Sequence, residues 1–222
     1  MRRLLVIGGS DQGRQAIDVL EAAATHEVVG VLDGNLAVGT DVGGYPVLGA
    51  ADALGEHAAS AGADGFVVAI GDNFTRGSLL EAARTGCPDL EPVSAVHPRA
   101  VVARDAVLGG GAIVMAGAVV SNGCRVGVGA LLRTNSSLDH DGELGDFVSL
   151  GPGATTGGHV TVGSYTAVGL GASVIHQVTI GAHTVVGAGA LVLEDLPDLV
   201  VAYGVPARVV RSRAAGEPYL AR

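Results

Sequence analysis

The sequence has few aromatic residues, no lysine and only two cysteines. Aromatic residues make up 3% of the chain and tryptophan is absent, which argues against the stacked aromatic platforms that bind bases. Cys87 and Cys124 cannot supply the disulfide framework of a small secreted protein. These absences indicate a fold that depends on aliphatic packing rather than on cross-links or aromatic clusters.

Positive charge and long apolar runs are also scarce. The net charge of −9 argues against a nucleic-acid partner, because phosphate binding needs a basic surface. Hydrophobic residues reach 48%, yet no apolar run approaches the roughly 18 residues that span a bilayer. The opening residues, MRRLLVIGG, lack a signal-peptide cleavage pattern. We therefore expect a cytoplasmic protein with no membrane partner.

A strict six-residue period organises the second half of the chain. From Val96 onward every sixth residue is Val, Leu or Ile except Thr156, in the series Val96, Val102, Leu108, Val114, Val120, Val126, Leu132, Leu138, Leu144, Leu150, Thr156, Val162, Val168, Val174, Ile180, Val186 and Val192. Neither an α-helix, with about 3.6 residues per turn, nor a flat strand, with about 2, has this period. It is typical of the hexapeptide β-helix, in which short strands stack coil upon coil.

The first 92 residues have the pattern of a small Rossmann-like α/β domain. An apolar strand leads into a glycine loop and a helix, and a second strand from Val28 to Leu32 ends at Asp33. Glycines allow backbone N–H groups to approach a ligand at a helix N-terminus, and an acid in this place can bind a ribose hydroxyl. The full GxGxxG motif is missing, so the loop does not support a dinucleotide cofactor.

The chain therefore divides into three segments. We expect a Rossmann-like domain over residues 1–92, an all-β parallel β-helix over residues 93–200 and a C-terminal tail over residues 201–222. The last dozen residues are polar, and we expect them to be frayed.

One hexad carries more chemistry than the others, because His140 lies between Asp139 and Asp141. A neighbouring carboxylate can fix the imidazole tautomer and stabilise the imidazolium, which suits a general base. The motif alone equally fits a solvated acidic corner.

His159 and His176 follow on the same flank, but two coils place His140 and His176 roughly 10 Å apart. That distance is too long for shared zinc ligation, so we expect no metal and treat His159 and His176 as surface residues.

Several segments together resemble the sugar O-/N-acyltransferases of the NeuD/PglD type: residues 138–147, 152–154, 71–76 and 204–208. The resemblance covers nearly the whole chain. It implies a Rossmann-like domain followed by a left-handed β-helix, assembled as a homotrimer. It also implies transfer of acetyl from acetyl-CoA to an amino or hydroxyl group of a small acceptor, in particular a nucleotide-linked amino sugar. The acceptor would attack the thioester directly, with no covalent enzyme intermediate.

The resemblance also assigns roles to residues. His140 would be the general base and Asp141 the carboxylate that polarises it. Backbone N–H groups near Gly158 would hold the thioester carbonyl or its oxyanion. The residues expected at CoA are Gly158, Gly169, Gly187, Pro206, Ala207 and Arg208. Those expected at the nucleotide-linked acceptor are Gly8, Ser10, Gly13, Asp33, Gly71, Asn73 and Arg76.

The chain departs from the family pattern on the acceptor side. Asp11 and Gln12 stand where many relatives have Gly-His, Arg133 where the family has an Asn, and Ser149 where several relatives have a second His. We include these four residues among the acceptor contacts. The departures keep open the same acyl transfer on a non-nucleotide acceptor, such as a natural-product or amino-acid intermediate. A non-catalytic β-helix scaffold and a metal-dependent β-helix enzyme are more distant alternatives.

Overall fold

The computed structural model describes residues 1–220. The N-terminal apolar run forms β1 (Arg2–Ile7), which is buried from Leu4 onward and pairs in parallel with β2 (His26–Leu32) and β5 (Gly65–Val68). The other elements of this domain are α1 (Asp11–Ala23), β3 (Asp41–Val42), β4 (Tyr45–Gly49), a 3-10 turn (Ala51–Ala53), α2 (Leu54–Ala61), α3 (Asn73–Gly86) and β6 (Glu91–Pro92). The sheet has the order β3-β4-β2-β1-β5-β6. The predicted Rossmann-like architecture is confirmed.

A regular series of two-residue strands follows. These are β7 (Ala95–Val96), β8 (Val101–Val102), β9 (Val107–Leu108), β10 (Ile113–Val114), β11 (Val119–Val120), β12 (Arg125–Val126), β13 (Leu131–Leu132), β14 (Ser137–Leu138), β15 (Glu143–Leu144), β16 (Ser149–Leu150), β17 (Thr155–Thr156), β18 (Thr161–Val162), β19 (Ala167–Val168), β20 (Ser173–Val174), β21 (Thr179–Ile180), β22 (Val185–Val186) and β23 (Leu191–Val192). Each hexad residue of the predicted series is the second residue of a strand, so the predicted register is confirmed.

Three hexads make one turn of a three-sided prism. Ile113 pairs with Leu131, and Leu131 pairs in turn with Ser149, so strands stack in parallel at an interval of 18 residues. The first face contains β7, β10, β13, β16, β19 and β22, the second face β8, β11, β14, β17, β20 and β23, and the third face β9, β12, β15, β18 and β21.

Aliphatic side chains fill the inside of the prism. The hexad residues from Val114 to Val192 form one continuous buried cluster, apart from Thr156, which is buried but polar. Alanines at the corners, such as Ala112, Ala130 and Ala154, are also fully buried in this cluster. The small residues therefore complete the core at the bends of the chain, where a larger side chain would not fit.

The N-terminal domain packs on the first face. Ile113, Met115 and Leu131 point outward from that face and join the buried cluster that includes Ile17 and Leu20 of α1. These apolar contacts fix the glycine loop of the N-terminal domain beside the first face.

Arg76 fastens the two domains together from a fully buried position. Its side chain is 1% exposed. The guanidinium donates from Nε to the Gly129 carbonyl at 2.7 Å and from Nη2 to the Phe147 carbonyl at 2.9 Å, both in the β-helix. On the N-terminal side, Nη1 donates to the carbonyls of Ile70 and Gly71 at 2.9 and 3.1 Å. Burial lowers the pKa of Arg76 to about 10.

Asn73 continues this junction. It is 2% exposed, and its Nδ2 donates to the Thr166 carbonyl at 3.0 Å. Its Oδ1 accepts from Arg76 Nη2 at 3.0 Å and from the Ser149 hydroxyl at 2.5 Å. Asn73 and Arg76 thus use their polar atoms within the protein and are almost completely buried, and their expected contact with an acceptor remains a prediction.

The C-terminal segment is more ordered than expected. Strands β24 (Val200–Tyr203) and β25 (Arg208–Ser212) form a hairpin that extends the first face. Beyond it, Arg213 Nη1 donates to the His183 carbonyl at 2.5 Å and the Tyr219 hydroxyl to the Gly71 carbonyl at 3.1 Å. The expected fraying is wrong for residues 211–220, and residues 221–222 lie outside the described part.

Within residues 1–220, none of the helices has the length and apolar character needed to cross a membrane.

Replacing Arg76 with Lys tests its structural role. A lysine ammonium cannot reach carbonyls on both sides of the junction, and buried unsatisfied carbonyls destabilise a fold, so we expect Arg76→Lys to lower the free energy of unfolding by about 2–4 kcal/mol. Denaturant unfolding without any ligand measures this. The exposed Arg104→Lys serves as a control, with a change within about 0.5 kcal/mol. Unchanged stability in Arg76→Lys would refute the assignment.

Candidate active site

His140 and Asp141 form a hydrogen-bonded pair at the corner between the second and third faces. They lie in the turn that joins β14 to β15, and His140 Nδ1 is 2.9 Å from Asp141 Oδ2. Because an ionised carboxylate only accepts hydrogen bonds, the proton of the neutral imidazole is held on Nδ1. The unprotonated Nε2 is then free to accept a proton from another molecule.

The surroundings of His140 favour its protonated form. The hydrogen bond to Asp141 raises the pKa of His140, partial burial opposes the increase, and the charges of Asp139 and Asp141 add to it. The ring remains accessible, with 46% of the side chain exposed. His140 is therefore an exposed base that gains its proton at a higher pH than an ordinary histidine.

His159 belongs to the same cluster. Its ring packs edge-on against the His140 ring with centroids 5.1 Å apart, and its Nε2 is 3.8 Å from Asp141 Oδ2. The ligand atoms of His140, Asp141 and His159 lie within 4.8 Å of one another. His159 is exposed, as expected of a surface residue, and in addition its ring contacts that of His140. Any metal considered at this corner would meet these three residues rather than the pair of His140 and His176.

The sequence contained a signal for this cluster. Asp141 and His159 are one 18-residue coil apart, and the His159 N–H donates to the His140 carbonyl at 2.9 Å. Both residues have a left-handed backbone, with φ of 54° and 57°. Equal positions in successive coils lie directly above one another, so the register alone predicts that these side chains meet.

Gly158 lies beneath the His140 ring. A Cβ built on Gly158 would be 2.5 Å from Cε1 of His140, so a side chain here would displace the imidazole. Among residues 1–220, the Gly158 N–H has no hydrogen-bond partner, whereas its carbonyl accepts from the Gln177 N–H at 2.9 Å. A free backbone donor therefore lies beside the His140 ring.

Two neighbouring cavities lie around the corner between the first and second faces, and we call them the joined cavities because Arg133 and Leu220 line both. The larger has a volume of about 510 Å³ and is mostly apolar, and its lining includes Arg133, Ser149, Gly169, Gly187 and Tyr219. The smaller has a volume of about 410 Å³ and lies against the glycine loop, with Ser10, Asp11, Gln12, Gly71 and Arg133 in its lining. Most of the expected acceptor residues and two expected CoA glycines therefore line these two cavities.

The remaining predicted site residues lie in the glycine loop, at the end of β2 and in the C-terminal tail. Gly8 and Gly13 close the loop tightly, because a Cβ on Gly13 would collide with the Gly8 carbonyl. Asp33 Oδ2 accepts from the Gly9 N–H at 2.7 Å and thereby orders the same loop. In the tail, Ala207 is buried in the β-helix core, whereas Pro206 and Arg208 are exposed. Their ligand contacts remain predictions.

The pair of His140 and Asp141 does not line either of the joined cavities. The pair lies at the corner between the second and third faces, and the cavities lie around the corner between the first and second faces. One whole side of the prism separates them within a single chain.

Comparison with known proteins gives a consistent result. Residues 3–83 match the family described as the PglD N-terminal domain. A mutant of perosamine N-acetyltransferase from Caulobacter crescentus, solved with CoA and GDP-perosamine, is 38% identical, with a TM-score of 0.90 over 96% of this chain and 98% of that chain. The acetyltransferase domain of PglB from Neisseria gonorrhoeae FA1090, solved with acetyl coenzyme A, is 33% identical in sequence. Its TM-score is 0.87, and the match covers 94% of this chain and 99% of that chain.

A third structure shares the fold at lower identity. WeeI from Acinetobacter baumannii AYE is 24% identical, with a TM-score of 0.83 over 95% of this chain and 100% of that chain. A search of curated protein sequences found no match.

Titration of the His140 ring tests the role of Asp141. We expect a pKa above the ordinary value of about 6.5, and a lower pKa in Asp141→Asn, because the charged hydrogen-bond acceptor is lost. NMR of the ring Cε1–H group against pH measures both values. His26 in the N-terminal domain is the internal control and should titrate identically in the two proteins. An unchanged pKa of His140 in Asp141→Asn would contradict the assignment.

Proposed function

We propose a reaction path and a shared site for this protein, which belongs to the NeuD/PglD-type sugar acyltransferases of the hexapeptide-repeat superfamily. The protein is an acetyl-CoA-dependent N-acetyltransferase with a Rossmann-like domain followed by a left-handed parallel β-helix. Its acceptor is the amino group of a nucleotide-linked sugar, in line with the relative solved with CoA and GDP-perosamine. These relatives favour this acceptor over a natural-product or amino-acid intermediate and favour catalysis over a scaffold role.

The observation that carries the mechanism is the orientation of His140. With Nδ1 bonded to Asp141 Oδ2 at 2.9 Å, Nε2 can take a proton from the acceptor amine as its nitrogen attacks the thioester carbonyl. The C–N bond forms, the C–S bond then breaks, and the proton on His140 passes to the leaving thiolate. Because the pKa of His140 is raised, turnover falls as the pH drops through that raised value. The reaction needs no metal.

The tetrahedral intermediate carries a negatively charged oxygen, which a hydrogen-bond donor must stabilise. The Gly158 N–H is free among residues 1–220 and lies beside the His140 ring. An N–H fixed by the backbone stabilises an oxyanion without reorganisation. We assign this role to Gly158, and its missing side chain keeps the imidazole in place.

The site is complete only when two chains meet. One chain has its base at one corner of the prism and its cavities at another. The β-helix also exposes apolar side chains, such as Val101 at 61% and Val107 at 53%, which association would cover. A contact between two different corners is heterologous, and such a contact forms a ring when its rotation closes. We infer a homotrimer in which His140 of one chain faces the cavities of the next.

The His140→Ala variant tests the chemistry. We expect kcat to fall by about 10²–10⁴-fold, the usual contribution of a general base. Release of CoA thiol with a panel of nucleotide-linked amino sugars measures this. His26→Ala is the matched control and should retain wild-type turnover. Full activity of His140→Ala would exclude the mechanism while leaving the acetyltransferase assignment intact.

Mixed oligomers test the shared site. His140→Ala removes the base, and Ala188→Trp fills the larger cavity, which Ala188 lines. His140→Ala alone should keep only the residual turnover given above, and Ala188→Trp alone should be similarly impaired. A mixture refolded together should regain activity, because one chain supplies His140 and its neighbour an open cavity. Light scattering should give about three times the chain mass of 21.9 kDa. No recovery in oligomers shown by mass spectrometry to contain both variants would rule out the shared site.

A further inference from the structure

We propose that Arg133 binds the diphosphate of the nucleotide-linked acceptor and that this contact replaces phosphate binding at the glycine loop. The proposal rests on the proposed function, because it requires a nucleotide-linked acceptor. It makes Arg133 a specificity residue for phosphate-bearing acceptors.

The position of Arg133 supports this role. Arg133 follows β13 and lines both joined cavities. A Cβ built on Gly71 would be 3.2 Å from its Nη2, so the guanidinium lies against the loop that follows β5. An acceptor that fills both cavities has its nucleotide beside Ser10 and Gln12 and its sugar on the first face. The diphosphate that links these two parts then passes Arg133.

The charge of Arg133 is uncompensated in the described part of the chain. The ion pairs of residues 1–220 do not include it. Burial lowers the pKa of Arg133, and Tyr219 partly opposes this change. The charge of Arg133 also lowers the pKa of Arg76, so two guanidinium groups lie near each other. Arg76 uses its N–H donors in hydrogen bonds within the protein. Arg133 is therefore the guanidinium of this pair that can bind an anion. A guanidinium matches two phosphate oxygens at once.

The glycine loop is poorly suited to hold phosphate in this chain. The N-terminus of a helix ordinarily attracts anions, but Asp11 is the first residue of α1 and brings a carboxylate to that place. Arg14 pairs with Asp11, so its charge is already compensated. Asp72 adds a second acid to the lining of the smaller cavity. The cation available to a diphosphate is thus on the opposite wall, at Arg133.

Gln12 provides an independent sign of a ligand. It lines the smaller cavity and is only 5% exposed. Neither its amide nitrogen nor its amide oxygen has a hydrogen-bond partner among residues 1–220. A buried amide left unpaired destabilises a protein, and a polar ligand between the loop and Arg133 would supply the partner. Unlike the acids beside it, the neutral amide does not repel phosphate.

Calorimetry with paired ligands tests the proposal. The probes are GDP with guanosine, UDP with uridine, and CoA, each titrated into wild-type protein, Arg133→Gln, Arg133→Lys and the exposed control Arg104→Gln. We expect Arg133→Gln to weaken the affinity for whichever diphosphate the wild-type protein binds by about 10–100-fold, the value of a charge-assisted hydrogen bond. The affinity for the corresponding nucleoside should not change. Arg133→Lys should lose less affinity for the diphosphate, because lysine keeps the positive charge but lacks the planar guanidinium. Arg104→Gln and the CoA titrations should match wild type.

Each other outcome overturns the proposal in a distinct way. Unchanged diphosphate affinity in a folded Arg133→Gln would show that Arg133 does not bind the diphosphate. A loss confined to CoA would assign Arg133 to the phosphates of the acyl donor. In both cases the proposed function stands. If wild-type protein binds CoA but neither GDP nor UDP, the nucleotide-linked acceptor fails together with the role of Arg133. Arg133→Lys keeps the test valid if Arg133→Gln does not fold.

Discussion

Stacking of aliphatic side chains along the inside of the prism is the interaction on which the rest of the structure depends. A two-residue strand is too short to be stable alone, and each one persists because its second residue packs between those of the coils above and below. The 18-residue interval of the pairing, as between Ile113 and Leu131, is a direct result. Once this packing is satisfied, every corner of the prism has a fixed place in space. Functional side chains can then be positioned by turns that have almost no secondary structure of their own.

Much of the architecture could be predicted from the sequence, because the β-helix is specified locally. A hexad needs only one inward aliphatic and a small residue at the bend, so each strand could be predicted by position. The pairing of His140 with Asp141 follows from adjacency and could be predicted in the same way. The contact between His159 and Asp141 could also have been found from their equal positions in successive coils.

The junction between the domains could not be predicted, because its contacts join distant parts of the chain. Arginine is seldom fully buried, and nothing near Arg76 in the sequence indicates that Gly129 and Phe147 will receive its donors. The Tyr219 hydroxyl reaches the Gly71 carbonyl across 148 residues, in a segment whose polar composition predicts fraying. Resemblance to relatives indicates which residues face a ligand in the family as a whole. It does not show that Asn73 and Arg76 also join the two domains by hydrogen bonds.

The interval of 18 residues also limits how the chain can change in length. Insertion of three hexads into the β-helix adds one coil and returns every later residue to its original face. Insertion of a single hexad between Arg133 and His140 would instead rotate everything that follows by about one third of a turn, and His140 would move to a different edge of the prism. Relatives that keep the shared site are therefore expected to differ in β-helix length by whole coils, while shorter insertions are confined to the turns, where they leave the register intact.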